Sequence, residues 1–253
     1  MTGAKPILEI KHLTVTFVRW GQIVRAVDDL CLSVLAGQWV MLVGHNGSGK
    51  STMLRAISGR LRPDGGSIKI DDEEIESLPA SRVAEKVFHV HQDPLLGTAP
   101  KLTLLENLLV ADHVAQVTGT PRRQLAEKYR ALLQPLGLAG QMKQLTQYFS
   151  GGERQMIALL IAQLRPAQVM LLDEPLAALD PAKAELCLQQ IRKIRDEGKT
   201  IVQVTHDPAL AMSCGDRTVV LCNGTIKYDK HGDERKLEEL NHLWAESAVG
   251  RNV

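Results

Sequence analysis
Nearly unbroken apolar runs recur along the chain, at Trp39–Val43, at Val169–Leu172 before Asp173, and at Ile201–Thr205 with Gln203 inside it. Short runs without polar alternation are buried on both faces, as in the middle of a parallel sheet. Val87–His91 reads as a further strand. Residues Ile7 to Phe17 instead set apolar pairs around Glu9, Lys11 and Thr14, and Ser67–Asp71 alternates, which predicts a small antiparallel sheet near the start. Cys187, Ile191 and Ile194 share one face of a helix predicted over Ala182–Glu197, with Pro181 near its start and Gly198 closing it. From 93 to 165 strand-like runs disappear, and Leu125, Tyr129, Leu132, Leu133 and Leu136 carry a helical period. From Asp229 the chain turns polar, with a short helix expected over Glu234–Glu246 that packs on the core. The pattern predicts one α/β domain, with a core over 1–92 and 166–228, an inserted helical subdomain over 93–165, and a tail over 229–253.

Composition narrows this little. The 253 residues carry 30 Lys+Arg against 29 Asp+Glu, a net charge of +1, and no basic tract, so charge gives no reason to expect nucleic acid as a partner. Cys31, Cys187, Cys214 and Cys222 lack ligand spacing and read as buried packing residues in a reducing cytosol. No run approaches the ~18 apolar residues of a membrane span, and the N-terminus lacks the apolar stretch of a signal peptide. A soluble, cytoplasmic protein is expected, reaching a membrane only through a separate membrane subunit.

Chemistry enters with Gly44-His45-Asn46-Gly47-Ser48-Gly49-Lys50-Ser51-Thr52, set between the strand Trp39–Val43 and the helical start Met53–Ile57. In that context the glycines let successive backbone N–H groups and a helix N-terminus face phosphates. Lys50 supplies a point charge, Ser51 a hydroxyl for Mg²⁺, and Thr52 a supporting donor. The fold expected is therefore a P-loop NTPase core with a mostly parallel sheet, joined by the antiparallel β subdomain and the helical insertion. Asp173 and Glu174, at the end of the strand Val169–Asp173, offer one carboxylate to hold Mg²⁺ through its water shell and one to polarise an attacking water.

Upstream, Tyr148-Phe149-Ser150-Gly151-Gly152-Glu153-Arg154-Gln155 opens an apolar helix. The phosphate loop, this signature, Asp173-Glu174, Ala178-Leu179-Asp180 and Thr205-His206-Asp207, in this order, resemble the ATP-binding cassette family of ATPases over about residues 7–228. The resemblance implies that Ser150, Gly151 and Gly152 contact the γ-phosphate of ATP bound to an opposing subunit, so that two subunits close head to tail, as a homodimer or with a paralogue. It implies that Asp180 communicates across that dimer, that Gln92 touches Mg²⁺ and the attacking water, and that His206 senses the γ-phosphate. Adenine is expected on an aromatic ahead of the loop, Phe17 or alternatively Trp20, although either can be core packing. Phe149 and Glu153 stand where the family usually has Leu and Gln, and Ala177 and Ala178 where a hydroxyl residue often sits.

Other features fit packing. His89 and His91 point to one strand face and read as packing residues, and Met53, Met156 and Met170 as core. One cassette, about 120 residues between Lys50 and Asp173 and no heptad run favour a transporter subunit over a soluble ATPase of DNA repair or translation. A small-molecule kinase does not explain Ser150–Gly152. The apolar loop Asp93–Pro100 and Leu102, Leu104, Leu105, Leu108 and Leu109 suit a groove for a helix of a permease subunit. Lys143–Tyr148 lacks the acidic motif frequent in exporters, which with the free-standing cassette leads to the expectation of a bacterial importer with an extracytoplasmic solute-binding protein, and the segment Gln92–Pro100 resembles cassettes of amino-acid-type importers.

Overall fold
The computed structural model describes residues 5–19, 21–112, 118–177 and 179–249; Trp20 and Ala178 lie outside the described residues. Strands β1 (Pro6–Arg19) and β2 (Gln22–Leu35) pair antiparallel, and β1 pairs on its other edge with β4 (Gly65–Ile70), followed by the short β5 (Glu73–Glu74). A second sheet runs β10-β9-β3-β8-β7-β6, from β3 (Trp39–Val43), β6 (Val87–Val90), β7 (Val169–Asp173), β8 (Thr200–Thr205), β9 (Arg217–Cys222) and β10 (Thr225–His231). All its pairings are parallel except that of β10 with β9.

The absence of polar alternation in β3, β7 and β8 now has its reason. Val40 and Leu42 face one apolar core with Val169, Leu171, Val202 and Val204, while Trp39 and Met41 face a second with Met170, Leu172 and Ile201. Both faces of the parallel sheet are therefore covered. The first core is closed by the antiparallel sheet and by helix α1 (Lys50–Ile57), which contributes Met53, Leu54 and Ile57. After α2 (Ala80–Lys86), the second is closed by α3 (Leu104–Ala111), α4 (Arg122–Leu133), α5 (Gly151–Leu164) and α6 (Pro181–Asp196). Each fully buried aliphatic side chain contributes about 1.5–3 kcal/mol. Met53, Met156 and Met170 all sit in these cores.

Three expectations need correction. Cys31 is exposed on β2, its Sγ accepting the His12 N–H at 3.2 Å, whereas Cys187, Cys214 and Cys222 are buried. Strand β6 ends at Val90, one residue before His91. The polar stretch after Asp229 begins inside β10, an edge strand whose outward residues meet solvent, and the final helix, α8 (Leu237–Val249), starts later than Glu234 because Gly232–Glu234 forms a separate 3₁₀ turn. Helix α7 (Pro208–Ser213) lies between β8 and β9. Among the described residues, no helix is long and apolar enough to cross a membrane.

Candidate nucleotide site
The phosphate loop leaves β3 and enters α1 through Gly49, whose φ of 108° is left-handed. A Cβ there would meet the Ala26 carbonyl oxygen at 2.2 Å, so only glycine fits. No side chain caps the start of α1, which leaves its first N–H groups for an anion. Ser48 Oγ is buried without a hydrogen-bond partner in the same loop. The Lys50 ammonium folds back, donating to the carbonyls of Gly44 at 2.5 Å and His45 at 2.8 Å.

Four other segments converge on this loop. Burial and the adjacent Glu174 charge raise the Asp173 carboxyl above its ordinary value, opposed by a hydrogen bond from Ser51 and the charges of Lys50 and Arg55. Glu174 adopts φ 48°, unusual for a side-chain-bearing residue, and its N–H bonds the Val204 carbonyl at 3.3 Å. His206 follows β8, and its Nδ1 lies 3.2 Å from Glu174 Oε2. Asp207, next in the chain, caps α7 by accepting the N–H groups of Ala209 and Leu210. A cavity of about 620 Å³ is lined by His45, Asn46, Gly47, Gly49, Lys50, Ser51, Thr52, Gln92, Asp173, Glu174, His206 and Trp244. Gly44 and Ser48 belong to the loop but are not part of this lining.

The comparisons with known proteins decide the family. Residues 27–177 match the family described as ABC transporter. This chain belongs to the ABC transporter family. The tyrosine transport ATP-binding protein of Clostridioides difficile is 33% identical over 236 residues, covering 91% of this chain and 94% of that protein. The methionine import ATP-binding protein MetN 2 of Rhodococcus jostii is 31% identical, covering 87% of this chain and 65% of its own. An ATP-binding cassette solved as a dimer in a post-hydrolysis state with ADP and Pi superimposes with a TM-score of 0.74 at 28% identity, covering 88% of this chain and 98% of its own.

As an ABC ATPase the chain binds ATP and hydrolyses it, with the α/β cassette fold expected from the sequence. The remaining candidate residues stand apart from the pocket. Ser150 caps α5 in a capping box, accepting the Glu153 N–H at 3.3 Å while its own N–H donates to Glu153 Oε2 at 2.7 Å. The Glu at position 153 is thus a working cap residue. Ser150 and Gly151 are exposed, and a Cβ at Gly151 would meet nothing within 4 Å. Asp180 caps α6 through the Lys183 N–H at 2.9 Å. Phe17, paired with Val24 on the β1–β2 ribbon, is 37% exposed and outside the pocket lining. One lining residue escaped the sequence reading: Trp244, inside the helix expected over Glu234–Glu246 but given no role at the site, stacks on His45. Its signal was the spacing of Leu240, Leu243 and Trp244 on one helical face.

Proposed function
We propose that this chain is the ATP-hydrolysing subunit of an uptake transporter, acting in a head-to-tail pair and energising separate permease subunits. The observation that carries it is convergence: Lys50, Ser51, Gln92, Asp173, Glu174 and His206, from four separate segments, line one cavity, while Ser150 and Gly151 stay exposed outside it. In this reading a single copy holds the phosphate side of a site, and the exposed start of α5 at Ser150 and Gly151, capped at rest by Glu153, contacts the phosphates held by another copy. A second copy or a paralogue supplies the missing half, with Asp180 at the same rim.

Mg²⁺ fits the donor set. Ser51 is hydrogen-bonded to Asp173, Gln92 lines the same cavity, and all three offer oxygen, the ligand a hard divalent cation takes. Bound with ATP, the ion would neutralise phosphate charge. Lys50 would turn from its carbonyls to the phosphates, Glu174 would polarise the attacking water and His206 would orient the γ-phosphate side. Phe17, the exposed aromatic of the ribbon, is the adenine platform in this reading.

The permease would dock on the helical subdomain, residues 93–165. A groove of about 700 Å³ between the core and that subdomain is lined by Arg60, Val83 and His89 on one side and Leu96, Val110 and Ile161 on the other, and Leu96 is 66% exposed. Such a groove, part apolar and part charged with an exposed leucine at its rim, suits a short helix from another chain. The tyrosine and methionine systems among the relatives support amino-acid uptake, hence an extracytoplasmic solute-binding protein, a location on the inner face of the membrane, and no nucleic-acid partner.

The test is turnover and binding in two variants. Glu174→Gln should lose hydrolysis by at least about 100-fold with ATP affinity near parental, and Lys50→Ala should lose binding. Parental turnover in Glu174→Gln overturns the assignment. Tight binding of duplex DNA at physiological salt would instead favour the soluble, non-transport reading.

A further inference from the structure
We propose that Trp244 is a positioning residue of the nucleotide site, through which the C-terminal helix α8 holds the phosphate loop. The proposal rests on the nucleotide-site reading above.

Trp244 grips residue 45 twice. The indole and imidazole centroids are 3.8 Å apart with planes inclined by 33°, and His45 Nε2 lies 2.8 Å from the Trp244 carbonyl oxygen. A carbonyl only accepts, so Nε2 carries the proton and the ring orientation is fixed. The His45 carbonyl in turn accepts from Lys50 Nζ at 2.8 Å. A chain of contacts thus runs from α8 through the loop backbone to the lysine that must meet the phosphates.

The helix end that carries this grip is anchored. Leu240 is 1% exposed in the second core, with Leu243 and Trp244 packed beside it. The Lys236 N–H donates to the Tyr228 hydroxyl at 3.0 Å, and the Arg235 guanidinium donates to the carbonyls of Ala211, Cys214 and Gly215. Those carbonyls end α7, the helix capped by Asp207 beside His206. Helix α8 and the two residues leading into it therefore touch both the phosphate loop and the helix that follows the histidine of the site. A packed aromatic pair on the loop limits the conformations it must give up when phosphates arrive, which favours binding.

ATP affinity of the intact chain tests this, with thermal melting as the folding control. Trp244→Ala should weaken ATP binding by about 2- to 10-fold, the range of an aromatic pair, and Trp244→Phe should restore it. His45→Ala should cause the same loss, and the double variant no more than either alone, because the two act as one contact. A merely structural role would lower melting without that non-additivity. Lys50→Ala separates the two readings: if it loses binding while Trp244→Ala keeps parental affinity, this inference fails and the nucleotide site stands; if Lys50→Ala binds normally, the site reading itself fails. Should Trp244→Ala not fold, the chain with Trp20→Phe and Trp39→Phe leaves Trp244 as the single tryptophan of the three. Its emission should change on saturation with ATP, and unchanged emission overturns the proposal.

Discussion
His206 Nδ1 lies 3.2 Å from Glu174 Oε2, joining the ends of neighbouring strands β8 and β7. An ionised carboxylate only accepts, so the Nδ1–H donates to Glu174 and a neutral ring presents a lone pair at Nε2. Donating to a phosphate oxygen then requires this contact to open or the ring to take a second proton. If Glu174 and His206 act as proposed, the pair is the resting arrangement of two groups that separate for catalysis.

Removing the imidazole should leave Glu174 in place but take away the group that orients it. His206→Ala is expected to cut kcat by about 10²- to 10⁴-fold with little change in ATP affinity. Steady-state hydrolysis beside equilibrium binding checks this, and equal losses in both would assign His206 to binding alone.

Gly151 offers a cleaner separation of fold from function. Its missing Cβ faces open space, so Gly151→Arg should change unfolding free energy by no more than about 0.5 kcal/mol while abolishing hydrolysis. Thermal melting and ATPase assays on one preparation decide it. A loss of stability without loss of turnover would show that the glycine serves the chain's own packing.

The central strands, the phosphate loop and the carboxylate pair were legible because each couples a period or a spacing to a fixed chemistry. Val40 and Leu42 against Trp39 and Met41 show how a five-residue strand divides between two cores, and the uninterrupted run announced it. The edge strand β10 was harder to read for the converse reason: most of its residues contact water, and only Ile226 and Tyr228 alternate with polar neighbours. Trp244 was missed because its partner, His45, lies 199 residues away, and no local pattern reports such a contact. Cys31 was misjudged because residue type alone cannot say which face of β2 it occupies.

His89 carries a prediction about acid. Its ring is 7% exposed, both nitrogens lack hydrogen-bond partners, and burial, reinforced by His91 and the Arg60 and Arg55 charges, pushes its pKa from 6.5 down to about 3. The unfolded chain binds this proton below pH 6.5 and the folded chain does not, so stability is intact above 6.5 and is lost as pH falls towards 3. At pH 5 the loss is about 2 kcal/mol, or roughly 4–8 °C in melting temperature. His89→Gln should flatten that part of the melting-temperature profile; an unchanged slope between pH 7 and 5 would mean the ring protonates in the folded chain.

The claim that the pocket is half a site is tested most directly by the solution mass of Glu174→Gln with ATP and Mg²⁺. Light scattering should give about the mass of one chain without nucleotide and about twice that with ATP, and adding Ser150→Arg should return it to one chain. A species that stays at the mass of one chain at saturating ATP, or a pair that survives Ser150→Arg, would contradict the account.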